Sequence, residues 1–343
     1  MTAKLNFNCR PTLIGSVPYT DPAAACAKVG KYLPDFPAWP QLPGRSNLEN
    51  MYAQYSEGFP GIVINGQKIS LKRNPGFDEH LEQIFLDYSE SKIDKYFIGK
   101  DYAAGLHAFS SLGRSASEIV KGQITGPISW GLCVTDDAGR GIIYDDVLSD
   151  AIAKFLKLKV AWQENFLRNV AHQTIIFIDE PYLASLGSAF IAISGEEVSF
   201  LLEEVLSGIQ GIKGIHCCGG TDWSLLLKLH IDILSFDAYS YTDSLLCYAE
   251  DVKRFLGRGG AIAWGIIPND EDTLKKESLS SLYDRFGEAL APYTRGGISI
   301  KEIISKSLIT PTCGLASLSN EAAEEVLKLL VELSRMINKK YVH

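Results

Sequence analysis

Short apolar segments alternate with longer segments of helical periodicity along most of the chain. In the longer segments, such as DVLSDAIAKFLKLKVAWQENFLRNVAHQ and SNEAAEEVLKLLVELSRMI, apolar residues recur every three or four positions. This alternation is typical of repeated strand–helix units around a parallel sheet, and eight strands close a (β/α)8 barrel. The sequence therefore predicts an α/β protein, a single (β/α)8 TIM barrel. The eight predicted strands are TLIGSV (12–17), AWPQL (38–42), VKGQIT (120–125), TIIFID (174–179), KGIHCC (213–218), DILSFD (232–237), AIAWGI (261–266) and SLITPT (307–312).

The segment 56–80, SEGFPGIVINGQKISLKRNPGFDEH, interrupts this pattern after the second strand. It places Asn-Gly between two apolar runs, a combination typical of a tight β-hairpin turn. We therefore predict a β-hairpin insertion at this point. The sequence has no low-complexity tract and no flexible linker, so we interpret residues 1–343 as one catalytic domain.

Composition narrows the classes of function. The net charge of -8 and the pI of about 5.4 argue against a nucleic-acid or anionic-membrane surface, because such surfaces need clustered positive charge. No apolar run approaches the ~18 residues that cross a bilayer, and the first residues lack the apolar core of a signal peptide. We therefore expect a cytoplasmic protein that acts on a small substrate or binds a protein partner. Its seven cysteines are an odd number, which favours reduced thiols over a disulfide framework.

Several predicted strands end in polar or reactive residues, although buried parallel strands are usually apolar throughout. In a barrel the carboxyl ends of the strands share one face, and active sites are built there. We therefore expect the site at this face. The residues concerned are Ser16, Gln41, Thr125, Asp179, Glu180, His216, Cys217, Cys218, Asp237 and Cys313.

The hexapeptide IHCCGG (215–220) predicts a metal site. Side chains alternate along a strand, so His216 and Cys218 share one face while Cys217 lies on the other. Imidazole nitrogen and thiolate sulfur are the ligands that zinc prefers, and Cys313 also follows a strand and precedes a glycine. The alternative is that these residues are small buried core groups and a hydrogen-bonded histidine, which is the commoner fate of a single Cys or His.

The carboxylates after two strands have alternative interpretations as well. Asp179 and Glu180, in FIDEPYL, are candidates for binding a substrate ammonium group or for capping a helix. Asp237 is a candidate metal ligand, a partner that orients His216, or a cap. Ser16 ends the first strand beside a glycine, where backbone N–H groups bind anions or simply form a turn.

Five motifs, in the same order, are similar to the catalytic C-terminal half of cobalamin-independent methionine synthase. They are LIGSVPYT, KGQITGPIS, FIDEP, HCC and PTCGL, which resemble Ile-Gly-Ser-Phe-Pro, Lys-x-x-Leu-Thr-Gly-Pro, Gln-Ile-Asp-Glu-Pro, His-x-Cys and Pro-Asp-Cys-Gly-Leu of that family. The wider superfamily also contains uroporphyrinogen decarboxylase and zinc-dependent corrinoid:thiol methyltransferases.

The resemblance implies zinc bound by His216, Cys218 and Cys313. It also implies that Asp179 holds the amino group of homocysteine and Ser16 its carboxylate. Asp237 falls where the synthase has a glutamate ligand, so its contact with the metal stays open.

Two departures from the synthase pattern bear on the substrate and the methyl donor. PQLPGR replaces the synthase's His-Gly-Glu, so Gln41 stands in place of a carboxylate that grips the amine. WGIIPNDED lacks the histidine that serves the folate donor, and the half that helps to seat folate has no counterpart in this sequence.

These observations predict a zinc-dependent transfer of a methyl group from methylcobalamin, on a corrinoid protein, to homocysteine. Asp179 and Asp237 are the expected catalytic carboxylates, and Gln41 and Glu180 are expected to contact the substrate. The alternatives are another thiol such as coenzyme M, a metal-free decarboxylase, and a non-catalytic module. The predicted mouth also has three aromatic residues, which we interpret as core residues in preference to donor contacts: Trp130, Trp264 and Tyr239.

Overall fold

The computed structural model describes residues 6–113, 117–188 and 191–342. The strands are β1 (Arg10–Pro11), β2 (Ile62–Asn65), β3 (Lys68–Leu71), β4 (Ile119–Thr125), β5 (Gln173–Asp179), β6 (Ile212–Cys217), β7 (Ile233–Asp237), β8 (Ala261–Ile267) and β9 (Ser307–Pro311). The helices are α1 (Pro22–Tyr32), α2 (Met51–Gln54), α3 (Phe77–Ser89), α4 (Ala104–Ser111), α5 (Pro127–Cys133), α6 (Asp146–Leu167), α7 (Gly195–Leu206), α8 (Trp223–Lys228), α9 (Ala238–Leu246), α10 (Ala249–Gly257), α11 (Glu271–Leu274), α12 (Leu279–Arg295), α13 (Ile300–Ser305) and α14 (Asn320–Tyr341).

A parallel sheet forms the centre of the molecule. Its order is β1-β9-β8-β7-β6-β5-β4, and every pairing in it is parallel. The segment 37–41 connects its two edges, because Trp39 N–H donates to the Lys121 carbonyl (3.2 Å) and Gln41 N–H donates to the Gly15 carbonyl (3.1 Å). The fold is therefore α/β and TIM-barrel-like, with a strongly curled sheet.

The first two predicted strands differ from the structure. The segments 12–17 and 38–42 form only isolated parallel bridges, Ser16 with Gln41 and Ala38 with Lys121. Both segments are flanked or interrupted by proline, which has no N–H group to donate to a neighbouring strand. The six predicted strands from residue 120 onward correspond to β4 to β9.

The predicted hairpin is confirmed. Strands β2 and β3 pair antiparallel, and the turn between them is closed by Asn65 opposite Lys68. Gly66 in this turn has a φ of 60°, a conformation that glycine adopts without steric cost.

Apolar side chains fill the space inside the sheet and between the sheet and its helices. All positions of β4 and β8 are buried, as expected for parallel strands covered on both faces. The 22-residue helix α6 buries one long face against this layer. Among the described helices, none is both long and apolar enough to cross a membrane.

Candidate active site

Three side chains with metal-binding atoms converge at the carboxyl ends of the strands. His216 lies in β6, Cys218 follows it, and Cys313 lies in the turn after β9. One ligand atom from each residue lies within 4.8 Å of the other two. The convergence expected from the sequence is confirmed, and one imidazole with two thiols is a donor set consistent with zinc.

The histidine ring is already oriented for ligation. Its Nδ1 lies 2.9 Å from the hydroxyl oxygen of Ser235, the residue that pairs with His216 in the β6–β7 register. Its Nε2 is buried and has no hydrogen-bond partner among the described residues. A buried polar atom without a partner is costly unless a ligand binds it, so this nitrogen fits a metal ion. Sequence reasoning missed Ser235, because only the register shows that it faces His216.

The two thiols form a hydrogen-bonded pair. A hydrogen bond from the Cys313 thiol is the largest cause that lowers the pKa of Cys218 to about 4. Burial opposes this shift, and His216 adds to it. The same hydrogen bond and burial raise the pKa of Cys313 well above its usual range. These opposite shifts favour the thiolate form of Cys218, the form of cysteine that binds metals.

Cys217 lies on the opposite face, as the alternation predicted. Its side chain is fully buried, and its thiol donates to the Gly219 carbonyl at 3.5 Å. It is not part of the converging group of metal-binding residues.

A cavity of about 220 Å³ lies beside the three residues. Four further residues at strand ends were predicted to bind substrate or metal. Of these, Ser16, Gln41 and Asp179 line the cavity, whereas Asp237 does not. The full lining is Ile14, Ser16, Gln41, Pro43, Glu49, Asn50, Met51, Asp179, Pro181, His216, Cys218, Cys313 and Gly314.

Asp179 presents a carboxylate to the cavity. It pairs with His216 in the β5–β6 register, the residue is 7% exposed, and its buried Oδ1 has no hydrogen-bond partner within the described part of the chain. Burial raises the pKa of Asp179 to about 6, while the electrostatic interactions with Lys121 and His216 oppose the rise. Lys121 is itself fully buried, which lowers its pKa to about 8, and its ammonium donates to the Ile14 carbonyl at 2.5 Å.

Glu49 is a second buried carboxylate at this cavity, and sequence reasoning missed it. It ends a short 3-10 helix, Asn47–Glu49, in the loop after the second predicted strand. Its Oε1 accepts a hydrogen bond from Arg45 (2.6 Å), whereas its buried Oε2 has no partner of standard hydrogen-bond geometry among the described residues. The backbone groups of Ala104 and Leu42 also lie close enough to the carboxylate to stabilise its charged form. Burial is the largest cause of a raised pKa for Glu49, and Arg45 opposes it. No strand or spacing pattern in the sequence indicates this residue.

Gln41 and Ser16 form one wall of the cavity. The Gln41 amide nitrogen donates to the Gln54 side-chain oxygen at 2.7 Å, which fixes the amide plane. The Ser16 hydroxyl packs against Gly314 so closely that a Cβ at Gly314 would lie 2.0 Å from it. The glycine after Cys313 is therefore required by this contact.

Glu180 binds the start of a neighbouring helix. Its carboxylate is fully buried and accepts hydrogen bonds from Ile128 N–H (2.9 Å), Ser129 N–H (2.8 Å) and the Ser129 hydroxyl (2.6 Å). These groups belong to the first turn of α5, whose N–H groups have no partners within the helix. This carboxylate is fully engaged by these bonds and does not line the cavity, and a contact between Glu180 and substrate stays a prediction.

The Glu180→Ala variant is expected to lose about 2 to 4 kcal/mol of unfolding free energy, because two buried N–H groups lose their acceptor. Urea denaturation followed by circular dichroism measures the loss. Glu196→Ala, which removes an exposed carboxylate from the first turn of α7, is the matched control and should cost less than about 0.5 kcal/mol. Equal losses in the two variants would contradict the assignment.

Asp237 caps a helix. Its carboxylate accepts a hydrogen bond from Ser240 N–H at 2.9 Å, at the start of α9. Of the alternatives for Asp237, the structure therefore shows the cap, and Ser235 takes the position beside His216 that was considered for it. A catalytic role for Asp237 stays a prediction.

The three aromatic residues of the predicted mouth are held by the protein itself. Trp130 and Trp264 are buried in the core. Tyr239 is half-buried, and its hydroxyl donates to Glu277 at 2.5 Å. The interpretation of Trp130 and Trp264 as core residues is confirmed.

Known proteins resemble this chain in sequence and in fold. No protein-family model matches the chain. A methionine synthase from Methanocaldococcus jannaschii is 25% identical over 226 residues, which cover 64% of this chain and 65% of that protein.

Solved structures share the fold. A B12-independent methionine synthase from a Shewanella species, in complex with selenomethionine, superposes with a TM-score of 0.62 over 97% of this chain and 99% of that one, at 14% identity. A methyltransferase from Methanosarcina mazei superposes with a TM-score of 0.56 over 94% of this chain and 86% of that one, also at 14% identity. The resemblance is confirmed to this extent: the chain is similar in sequence to a methionine synthase over 64% of its length, and it shares the fold of a B12-independent methionine synthase.

Proposed function

We propose that the protein is a zinc-dependent methyltransferase that transfers a methyl group to the thiol of homocysteine and yields methionine. The observation that carries the proposal is the convergence of His216, Cys218 and Cys313 at a cavity with two unpartnered carboxylate oxygens. The methionine synthase from M. jannaschii and the Shewanella structure with selenomethionine support the same reaction class.

Three protein ligands would hold the metal: His216 through Nε2, and Cys218 and Cys313 through their sulfurs. Such a set leaves one coordination position for a substrate thiol, as in other catalytic zinc sites. Zinc bound there would deprotonate the thiol and keep it nucleophilic, with no redox change.

The carboxylates of the cavity would select the substrate. An α-ammonium group has three N–H donors, and the free oxygens of Asp179 and Glu49 are buried acceptors at the same cavity. Each contact would be a charge-assisted hydrogen bond in a site of low water content. Glu49 would thus supply the second carboxylate that the motif around Gln41 lacks. Ser16, which also lines the cavity, would donate its hydroxyl to the substrate carboxylate.

The methyl donor would be methylcobalamin, presented at the mouth by a corrinoid protein. A folate donor needs a proton for its amine leaving group, whereas methylcobalamin does not. Asn269 lies in the WGIIPNDED segment that lacks the synthase's histidine, and it uses its side chain to bind the turn of residues 312–314. That side chain is therefore not a proton donor for a folate amine.

Metal content and methyl transfer, measured on the same purified protein, test the proposal. We expect about one zinc per chain, as in other three-ligand sites. We also expect methionine from methylcobalamin and homocysteine. Coenzyme M in place of homocysteine, and methyltetrahydrofolate in place of methylcobalamin, should give far slower transfer.

Each failure of this experiment has its own meaning. A protein without metal would contradict the zinc site and favour a metal-free reaction. Methylation of coenzyme M but not homocysteine would contradict the proposal that homocysteine is the substrate. Efficient transfer from methyltetrahydrofolate would contradict only the proposal that methylcobalamin is the methyl donor.

A further inference from the structure

Cys313 is unlike the other two metal-binding candidates in how it is held. His216 lies within β6 and Cys218 directly follows its last residue, whereas Cys313 lies two residues beyond the end of β9, in a turn. Zinc–sulfur bonds of about 2.3 Å and a tetrahedral arrangement tolerate little displacement of a ligand. Contacts from outside the turn must therefore fix the position of this thiol.

One side chain binds the residues on both sides of Cys313. Asn269, in the loop after β8, donates from Nδ2 to the Gly314 carbonyl at 3.1 Å. Its Oδ1 accepts a hydrogen bond from the Thr312 hydroxyl at 2.8 Å, and that hydroxyl also accepts from Asn269 N–H at 3.2 Å. Asn269 thus uses both its donor and its acceptor on a turn of three residues.

Backbone contacts place the same turn between two strand ends. Thr312 N–H donates to the Ile267 carbonyl at 2.9 Å, and Leu315 N–H donates to the Ser16 carbonyl at 2.8 Å. These two bonds fix the residues at the ends of the turn. Neither of them involves Gly314, the residue that directly follows Cys313. The amide of Asn269 supplies that remaining contact.

We propose that Asn269 is a positioning residue that holds the thiol of Cys313 where it completes the metal site. The inference rests on the proposed zinc site. Neither Asn269 nor Thr312 lines the cavity, so both act through the turn and not through the substrate. An amide is required, because alanine offers neither bond and a carboxylate at this position would repel the Gly314 carbonyl.

Zinc affinity, measured by competition with a chromophoric chelator, tests the proposal without any assay of activity. Asn269→Ala and Thr312→Val are expected to weaken zinc binding by about 10- to 100-fold, the usual effect of removing a partner that orients a ligand. Thr312→Ser keeps the hydroxyl and should bind zinc as the wild type does. Asn269→Asp should resemble the alanine variant.

Asn338→Ala is the matched control. Asn338 also donates from its side chain to backbone carbonyls, those of Asn8 (2.8 Å) and Ser334 (2.9 Å). Like Asn269 it does not line the cavity, but its partners lie outside the turn that contains Cys313. It should lose stability without losing zinc affinity.

The possible results separate this inference from the proposed function. Unchanged zinc affinity in Asn269→Ala and Thr312→Val, or an equal loss in Asn338→Ala, would overturn the role of Asn269. A wild type that binds zinc but methylates no thiol would contradict the function and leave the affinity comparison intact. A wild type without zinc affinity would overturn both.

Discussion

Cys218→Ala is expected to purify without zinc and to lose methyl transfer to homocysteine by roughly three orders of magnitude or more, as when a group that generates the nucleophile is removed. Only His216 and Cys313 would remain at the site, and two protein ligands hold zinc weakly. Cys313→Ala should behave in the same way, because its sulfur belongs to the same group of ligand atoms within 4.8 Å. Metal analysis and methionine formation, measured on the same preparation, check both losses.

Cys217→Ala provides an unusually close control for this prediction. It removes a neighbouring thiol that lies on the other face of the chain and donates to the Gly219 carbonyl at 3.5 Å. We expect this variant to lose some stability, because the side chain is buried, and to keep its zinc and activity. Full zinc in Cys218→Ala, or zinc loss in Cys217→Ala, would show that the ligands are assigned to the wrong residues.

Asp179→Asn and Glu49→Gln are each expected to lower kcat/KM for homocysteine by about 10- to 100-fold. The lost contact is a hydrogen bond between a buried carboxylate and an ammonium group, worth roughly 1.5 to 3 kcal/mol. The amides keep the shape of the side chains and remove their charge, so zinc content should stay as in the wild type. Steady-state methyl transfer with methylcobalamin measures the change.

The thiol 4-mercaptobutyrate is the control substrate, because it is homocysteine without the amine. The wild type should prefer homocysteine, and both variants should lose most of that preference. If the variants slow transfer to the two thiols equally, Asp179 and Glu49 do not bind the amine. A loss confined to one variant would assign the amine to that carboxylate alone.

The three metal-binding candidates, whose convergence the sequence predicted, are attached to regular strands. Alternation along β6 separates Cys217 from Cys218, and the parallel arrangement brings the ends of β5, β6 and β9 to one face. These features depend on local periodicity and on strand order, both of which the apolar pattern predicts.

The residues that sequence reasoning missed depend on loops or on register. Glu49 and Asn269 lie in connections whose path no periodicity determines, and Ser235 is found only once β6 and β7 are aligned. The contact of Glu180 with α5 was missed for a related reason, since its partners there lie about fifty residues earlier in the chain. The short first two strands were overestimated because prolines interrupt their hydrogen bonding.

The separation of the metal-binding residues along the chain has a consequence for assembly. Strands β7 and β8 lie between β6 and β9 in the sheet, so Cys313 reaches His216 and Cys218 only after both intervening strands have joined. A ribosome-bound chain that ends before residue 313 cannot form the complete site. Zinc uptake would thus come late in biogenesis, when the ion would fasten the last strand to the middle of the sheet.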